Sequence, residues 1–155
     1  MILRVMIVED EDMIRNGLVK TLPWADMGCT VIGSAGDGKS GLEQIIERRP
    51  DVVITDIRMP EMDGFEMLER ALAVYRFHII IFTSYAEFDY AQKAISIHAY
   101  DYLLKPLDEK RLAELLARIR ETEEPQEQLE TPGSFSAEEL LKRLAYADEY
   151  VETAL

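Results

Sequence analysis

Five positions in this chain carry groups that could act together on an anion: the adjacent acids Glu9 and Asp10, Asp56, the hydroxyl of Thr83 and the ammonium of Lys105. Carboxylates are hard oxygen ligands that select Mg²⁺ or Mn²⁺. A lysine and a hydroxyl beside them would offer partners to an anion bound to that metal. A second stretch competes for attention. GSAGDGKS, residues 33 to 40, fits the pattern G-x-x-x-x-G-K-[ST] of a phosphate-cradling loop, with Gly33, Gly38, Lys39 and Ser40 in the named places. Asp56 would then be the magnesium-holding acid of a nucleotide hydrolase. The elements that carry these residues decide between the two readings.

Short apolar runs rich in Val and Ile alternate with segments of helical period. The runs at 2–8, 30–35, 51–57, 78–84 and 100–105 read as strands, and their near-continuous apolarity suggests cover on both faces. The first helix carries Ile14, Leu18 and Leu22 and stops at Pro23; the second carries Leu42, Ile45 and Ile46 and stops near Pro50. A third runs from about Phe65 to Tyr75 and a fourth from about Glu87 to Ile97. The fifth follows Asp108, a predicted N-cap, with Leu112, Leu115, Leu116 and Ile119 on one face. Strict alternation of strand and helix predicts an α/β fold: a parallel five-stranded sheet with helices on both faces.

Ligands of such a sheet bind beyond the carboxyl ends of its strands. Glu9–Asp10 follows the first strand, Asp56 ends the third, Thr83–Ser84 the fourth, and Lys105–Pro106 the fifth. Carboxylates about 4 Å apart at an effective dielectric near 20 repel by roughly 4 kcal/mol per pair, so the cluster requires a neutralising cation. Acids at strand ends commonly cap helices, and a Lys-Pro pair is commonly a loop. Their joint placement carries the argument.

IVEDE, DVVITDIRMPEMDGFE, the Thr–Ser pair and DYLLKP together resemble the receiver domains of bacterial response regulators, over about residues 1–121. The resemblance implies a flavodoxin-like, doubly wound sheet of order 2-1-3-4-5. It implies that Asp56 is the phosphoacceptor, taking a phosphoryl group from a sensor histidine kinase and forming an acyl phosphate. Glu9, Asp10, Asp56 and the backbone carbonyl of Arg58 match the Mg²⁺ ligands. Lys105 would neutralise the transferring group, Thr83 matches the switch hydroxyl, and Tyr102 the aromatic that turns inward in response. The Lys105–Pro106 bond is expected to be cis. Glu9 departs from the more common aspartate, and its extra methylene allows a contact to the metal through water. His98 stands where receivers commonly carry glycine, in a place where a left-handed conformation would cost roughly 1 kcal/mol.

Receivers also explain the competing stretch: AGDGKSGLE resembles the turn after their second strand, where Asp37 or Gly38 provides helix-entry chemistry. A nucleotide hydrolase would leave Glu9, Asp10, Thr83 and Lys105 without a role. An aspartate-nucleophile phosphohydrolase wants a second acid two residues after its nucleophile, and that place is Arg58. The expectation is therefore a switch, catalysing only its own phosphorylation and slow dephosphorylation.

The formal net charge of −13 opposes direct binding to nucleic acid or anionic lipid. The single cysteine, Cys29, fits a reducing cytoplasm, and no apolar run reaches membrane-spanning length. Residues 122–136 read as a linker, and residues 137–155 as an amphipathic helix with a Ser136–Glu139 capping box and a stripe of Leu140, Leu144, Ala147, Val151 and Leu155. That helix either begins a connector to an output domain that binds DNA or folds back on its own receiver. LPWADMG, residues 22–28, resembles the segment after the first helix in receivers of AraC-type transcriptional regulators, although Trp24 also suits packing beneath the sheet. A phosphorylation-dependent homodimer through the fourth helix, fifth strand and fifth helix is the expected consequence of the switch.

Overall fold

The computed structural model describes residues 1–123. Five strands, β1 (Leu3–Val8), β2 (Cys29–Ala35), β3 (Val52–Thr55), β4 (His78–Thr83) and β5 (Asp101–Leu104), alternate with α1 (Asp12–Thr21), α2 (Gly38–Arg48), α3 (Gly64–Leu72), α4 (Phe88–Ser96) and α5 (Glu109–Glu123). All strands are parallel, in the order β2-β1-β3-β4-β5, as the resemblance implies. The reading of residues 137–155 as a helix lies outside the described residues. Helix α5 continues through Glu123, two residues past the change in composition.

Alternation along each strand sends side chains to two separate cores. Leu3, Val5 and Ile7 of β1 join Val52 and Ile54 of β3 and Ile80 and Phe82 of β4, packed against Leu18 of α1, Leu22 just after it, and Leu112, Leu115, Leu116 and Ile119 of α5. Met6, Val8, Val53, Ile79 and Ile81 face the other way, onto Ile45 of α2, Met67 and Leu68 of α3, and Ala91 and Ala94 of α4. A side chain of this size contributes about 1.5–3 kcal/mol when fully buried, so both faces anchor the sheet and set its carboxyl edge. Trp24 belongs to the α1–α5 core, its indole N–H donating to the Leu18 carbonyl at 2.9 Å.

Helix boundaries follow local chemistry. Asp37 caps α2, accepting from the Ser40 amide at 2.7 Å, and Asp63 caps α3, accepting from the Glu66 amide at 2.8 Å. Asp108 accepts more weakly from the Arg111 amide, at 3.3 Å. His98 takes the left-handed conformation, φ 58°, after α4, and Lys105–Pro106 is cis. Ile46, read as part of the α2 apolar face, is 37% exposed; the helix turns it to the rim while Ile45 fills the core.

Candidate functional site

The carboxyl ends of β1, β3, β4 and β5 meet at one edge of the sheet and bring the separated residues together. Glu9 leaves β1 with its amide on the Ala35 carbonyl and its carbonyl on the Arg15 guanidinium, at 3.0 and 2.7 Å. Asp56 leaves β3 with its amide on the Val8 carbonyl at 3.0 Å. Lys105 leaves β5 with its amide on the Thr83 carbonyl at 2.8 Å. Each backbone is thus tied to its neighbour within one residue of the side chain that matters.

Glu9, Asp10 and Asp56 each place a carboxylate oxygen within 4.8 Å of the other two. Glu9 and Asp56 are buried, Asp10 is half-buried. Lys105 bridges the buried pair: its Nζ donates to Asp56 Oδ2 at 2.9 Å and lies 2.5 Å from Glu9 Oε1. The second contact is a tight ion pair, so one ammonium serves both carboxylates, and Glu9 Oε1 has no further partner beyond it. The other oxygens are satisfied by backbone: Glu9 Oε2 accepts from the Glu11 amide at 3.1 Å and Asp56 Oδ1 from the Ile57 amide at 2.7 Å.

Burial pushes the Glu9 carboxyl above its ordinary range, offset in part by the Lys105 ammonium and the Glu11 amide and reinforced by Asp56 and Asp10. Burial pulls the Lys105 ammonium down, but its contacts with Glu9 and Asp56 more than reverse this and hold it charged. One ammonium faces three acids, so negative charge remains in excess. Three carboxylates converging within 4.8 Å, two of them buried, form an all-oxygen donor set that suits a hard divalent cation such as Mg²⁺.

Thr83 is fully buried at the end of β4, its Oγ1 accepting a long 3.4 Å bond from the Tyr85 amide. Tyr102 lies inward, 7% exposed, with its hydroxyl donating to the Tyr85 carbonyl. The side chain of Arg58 points toward the start of α4 and meets Tyr85, Glu87 and Tyr90.

The competing stretch does not form a cradle. Gly33 and Ser34 are paired residues of β2, and Gly38 is close-packed: a Cβ there would overlap the Met62 carbonyl oxygen. The glycine permits α2 to meet the β3–α3 loop, and Asp37 caps the helix.

Two features escaped sequence reading. Gly64 opens α3 directly against the acceptor strand, where a Cβ would overlap the Asp56 carbonyl oxygen; the Asp-Gly pair after the third strand was the available signal. Arg58 and Tyr85 are expected from the sequence to flank the site, but the contacts of Arg58 with Tyr85, Glu87 and Tyr90 carry no short-range spacing that marks them, because residues 58 and 85–90 meet only through the fold.

Comparison with known proteins gives a consistent result. The response regulator receiver domain model matches residues 5–117. The transcriptional regulatory protein HptR of Staphylococcus aureus is 36% identical over 151 residues, covering 96% of this chain and 60% of the relative. The chain thus spans about 60% of the length of the curated relatives it matches. Among solved structures, the REC domain of AraT, a response regulator from Geobacillus stearothermophilus, superposes with a TM-score of 0.71 at 39% identity, covering 78% of this chain and 95% of that one. Chemotaxis protein CheY4 of Vibrio cholerae superposes with a TM-score of 0.66 at 30% identity, covering 76% and 98%.

Proposed function

The chain belongs to the response regulator receiver domain family, and from that premise we propose that it is a phosphorylation-dependent switch with Asp56 as its acceptor. One observation carries the reading: the buried Asp56 carboxylate sits 2.9 Å from the Lys105 ammonium, beside Glu9 and Asp10, at the carboxyl edge of a parallel sheet. In this reading an Asp56 oxygen attacks the phosphorus of a phosphohistidine on a sensor kinase, or of a small acyl phosphate. The bond from phosphorus to the donor breaks, its electron pair leaves with the donor, and an acyl phosphate forms. Lys105, already at the carboxylate, pairs with the phosphoryl oxygens as they arrive. Glu9, Asp10, Asp56 and the Arg58 backbone carbonyl would hold Mg²⁺, which supplies charge neutralisation when bound. Thr83 offers its hydroxyl to the phosphoryl group, and Tyr102 relays the change to the face of α4, β5 and α5.

The wider assignment rests on the same premise. The receiver comprises β1 through α5 and works with an output domain. Phosphorylation shifts the population toward a homodimer through α4–β5–α5, and the output is transcription. Similarity to HptR, a transcriptional regulatory protein, supports that output, and LPWADMG supports an AraC-type regulator. A cytoplasmic location follows from the kinase partnership; among the described residues no helix is long and apolar enough to cross a membrane. The test is acyl phosphate chemistry. Acetyl phosphate with Mg²⁺ should load one phosphoryl group that hydroxylamine removes and chelator prevents. A hydroxylamine-stable label, or none, would sink the reading.

A further inference from the structure

Arg58 lies two residues past Asp56, yet its guanidinium is built into the opposite loop. Its Nε donates to the Tyr90 hydroxyl at 2.8 Å, one terminal nitrogen lies 2.5 Å from Glu87 Oε1, and its carbon sits 3.5 Å above the Tyr85 ring. Glu87 occupies the N-cap position of α4 but makes no side-chain capping bond; its carboxylate goes to Arg58 instead. Tyr90 in turn packs against Phe65 of α3, ring centroids 5.9 Å apart. The planar guanidinium is suited to this combined stacking and forked bonding, which an ammonium cannot reproduce.

The residue under that guanidinium is the one whose peptide groups hold both switch side chains. The Tyr85 amide donates to Thr83 Oγ1, and the Tyr85 carbonyl accepts from the Tyr102 hydroxyl. Tyr85 is itself 40% exposed, so the core does little to fix it. Its position is set from outside, by the cation on its ring and by the ion pair that ties Arg58 to the first turn of α4.

We infer that Arg58 is a positioning residue: its stack on Tyr85 and its pair with Glu87 fix the Tyr85 peptide, and through that peptide the inward arrangement of Thr83 and Tyr102. Its biological meaning rests on the reading of Thr83 and Tyr102 as the switch pair. The geometric claim does not, because it concerns the chain with no phosphodonor present. The side chain next to the acceptor thereby presets the relay before any phosphoryl group arrives, and removing it should let Tyr102 sample outward positions.

Fluorotyrosine labelling tests this without a phosphodonor. The chain has seven tyrosines, and Tyr102→Phe identifies the fluorine resonance of Tyr102. Arg58→Ala should move that resonance most of the way toward its position in the denatured chain, with the melting transition still cooperative. Tyr85→Ala should do the same, and the double variant should add nothing further, as expected for residues acting in one chain of contacts. Tyr85→Phe, which keeps ring and peptide, should leave the resonance in place, and Arg58→Lys should restore it only in part. A Tyr102 resonance unmoved in folded Arg58→Ala, or additive shifts in the double variant, would overturn the inference. Should Arg58→Ala fail to fold, Glu87→Gln and Arg58→Lys decide by the same resonance, an unmoved signal in both refuting it. Failure here leaves phosphorylation of Asp56 intact, and an Asp56 that accepts no phosphoryl group would leave this result intact.

Discussion

Replacing Lys105 with methionine would leave the Glu9 carboxyl, 1% exposed, without the ammonium that stands 2.5 Å from it. Breaking a buried pair by removing one partner costs about 3–5 kcal/mol when the survivor stays charged. Glu9 has an alternative, since it can take up a proton. Starting from an ordinary value of 4.5, staying neutral in the folded state at pH 7 costs about 3.4 kcal/mol at about 1.36 kcal/mol per unit. That figure caps the share of the loss that falls on Glu9; Asp56 loses its Lys105 hydrogen bond as well. In the variant the folded value of Glu9 stands above the unfolded one, so the penalty is absent below the unfolded value and grows as pH rises. Because Glu9 is already raised in the parent, its share of the difference between Lys105→Met and the parent should be at most about 3 kcal/mol at pH 7 and at most about 1 kcal/mol at pH 5. Urea denaturation at the two pH values measures this. Adding Glu9→Gln should recover most of the loss at pH 7, and Mg²⁺ should stabilise Lys105→Met more than the parent. Equal stability of variant and parent at pH 7, or a loss of the same size at pH 5, would refute the claim that this ammonium compensates Glu9.

Other expectations follow from the same geometry. Gly64→Ala would press a methyl group into the Asp56 carbonyl; overpacking of this kind costs about 1–3 kcal/mol, visible in thermal melts, and should slow phosphoryl loading. An unchanged melting temperature would mean that α3 yields without disturbing the acceptor strand. Burial pushes the Cys29 thiol up to about 11, so at pH 8 the native chain should resist thiol reagents that label it readily in urea. Because the unfolded thiol ionises first, the fold should lose stability as pH rises past about 9 toward 11, and Cys29→Ala should flatten that decline. Sedimentation velocity should show loading at Asp56 shifting the chain toward a dimer, and an unchanged sedimentation coefficient would remove α4–β5–α5 as the responding interface.

The fold was legible because its signals are local. Five apolar runs of β-branched residues, each followed by a helical stripe, with three of the stripes stopped at Pro23, at Pro50 and at the left-handed His98, leave little choice but a parallel sheet covered on both faces. Edges were less legible. The run at 51–57 shrinks to Val52–Thr55 because Asp51 turns its carboxylate to the Arg4 amide and Asp56 turns to the Ile57 amide. The strand order came with the family resemblance and not from periodicity. Glu9, Asp10, Asp56, Thr83 and Lys105 could be brought together on paper because each follows a strand, and strand ends share one edge. Two facts could not. Lys105 follows β5 and so belongs at the site by position, but its bridge between Glu9 and Asp56 depends on side-chain reach across β1, β3 and β5. The Arg58–Tyr85–Glu87–Tyr90 cluster joins two loops whose approach no pattern announces. GSAGDGKS misleads for the opposite reason: its spacing is right, while Gly33 belongs to a strand and Gly38 is a packing contact.

The central claim is that Asp56 accepts the phosphoryl group, and the most direct measurement locates it. After acetyl phosphate and Mg²⁺, borohydride reduces an aspartyl phosphate to homoserine, which peptide sequencing by mass can place. The account predicts homoserine at position 56 alone, absent from Asp56→Asn and from the sample treated with chelator. Homoserine at Asp51, Asp10 or any other aspartate, the corresponding longer alcohol at a glutamate, or no conversion together with Lys39-dependent binding of ATP, would contradict it.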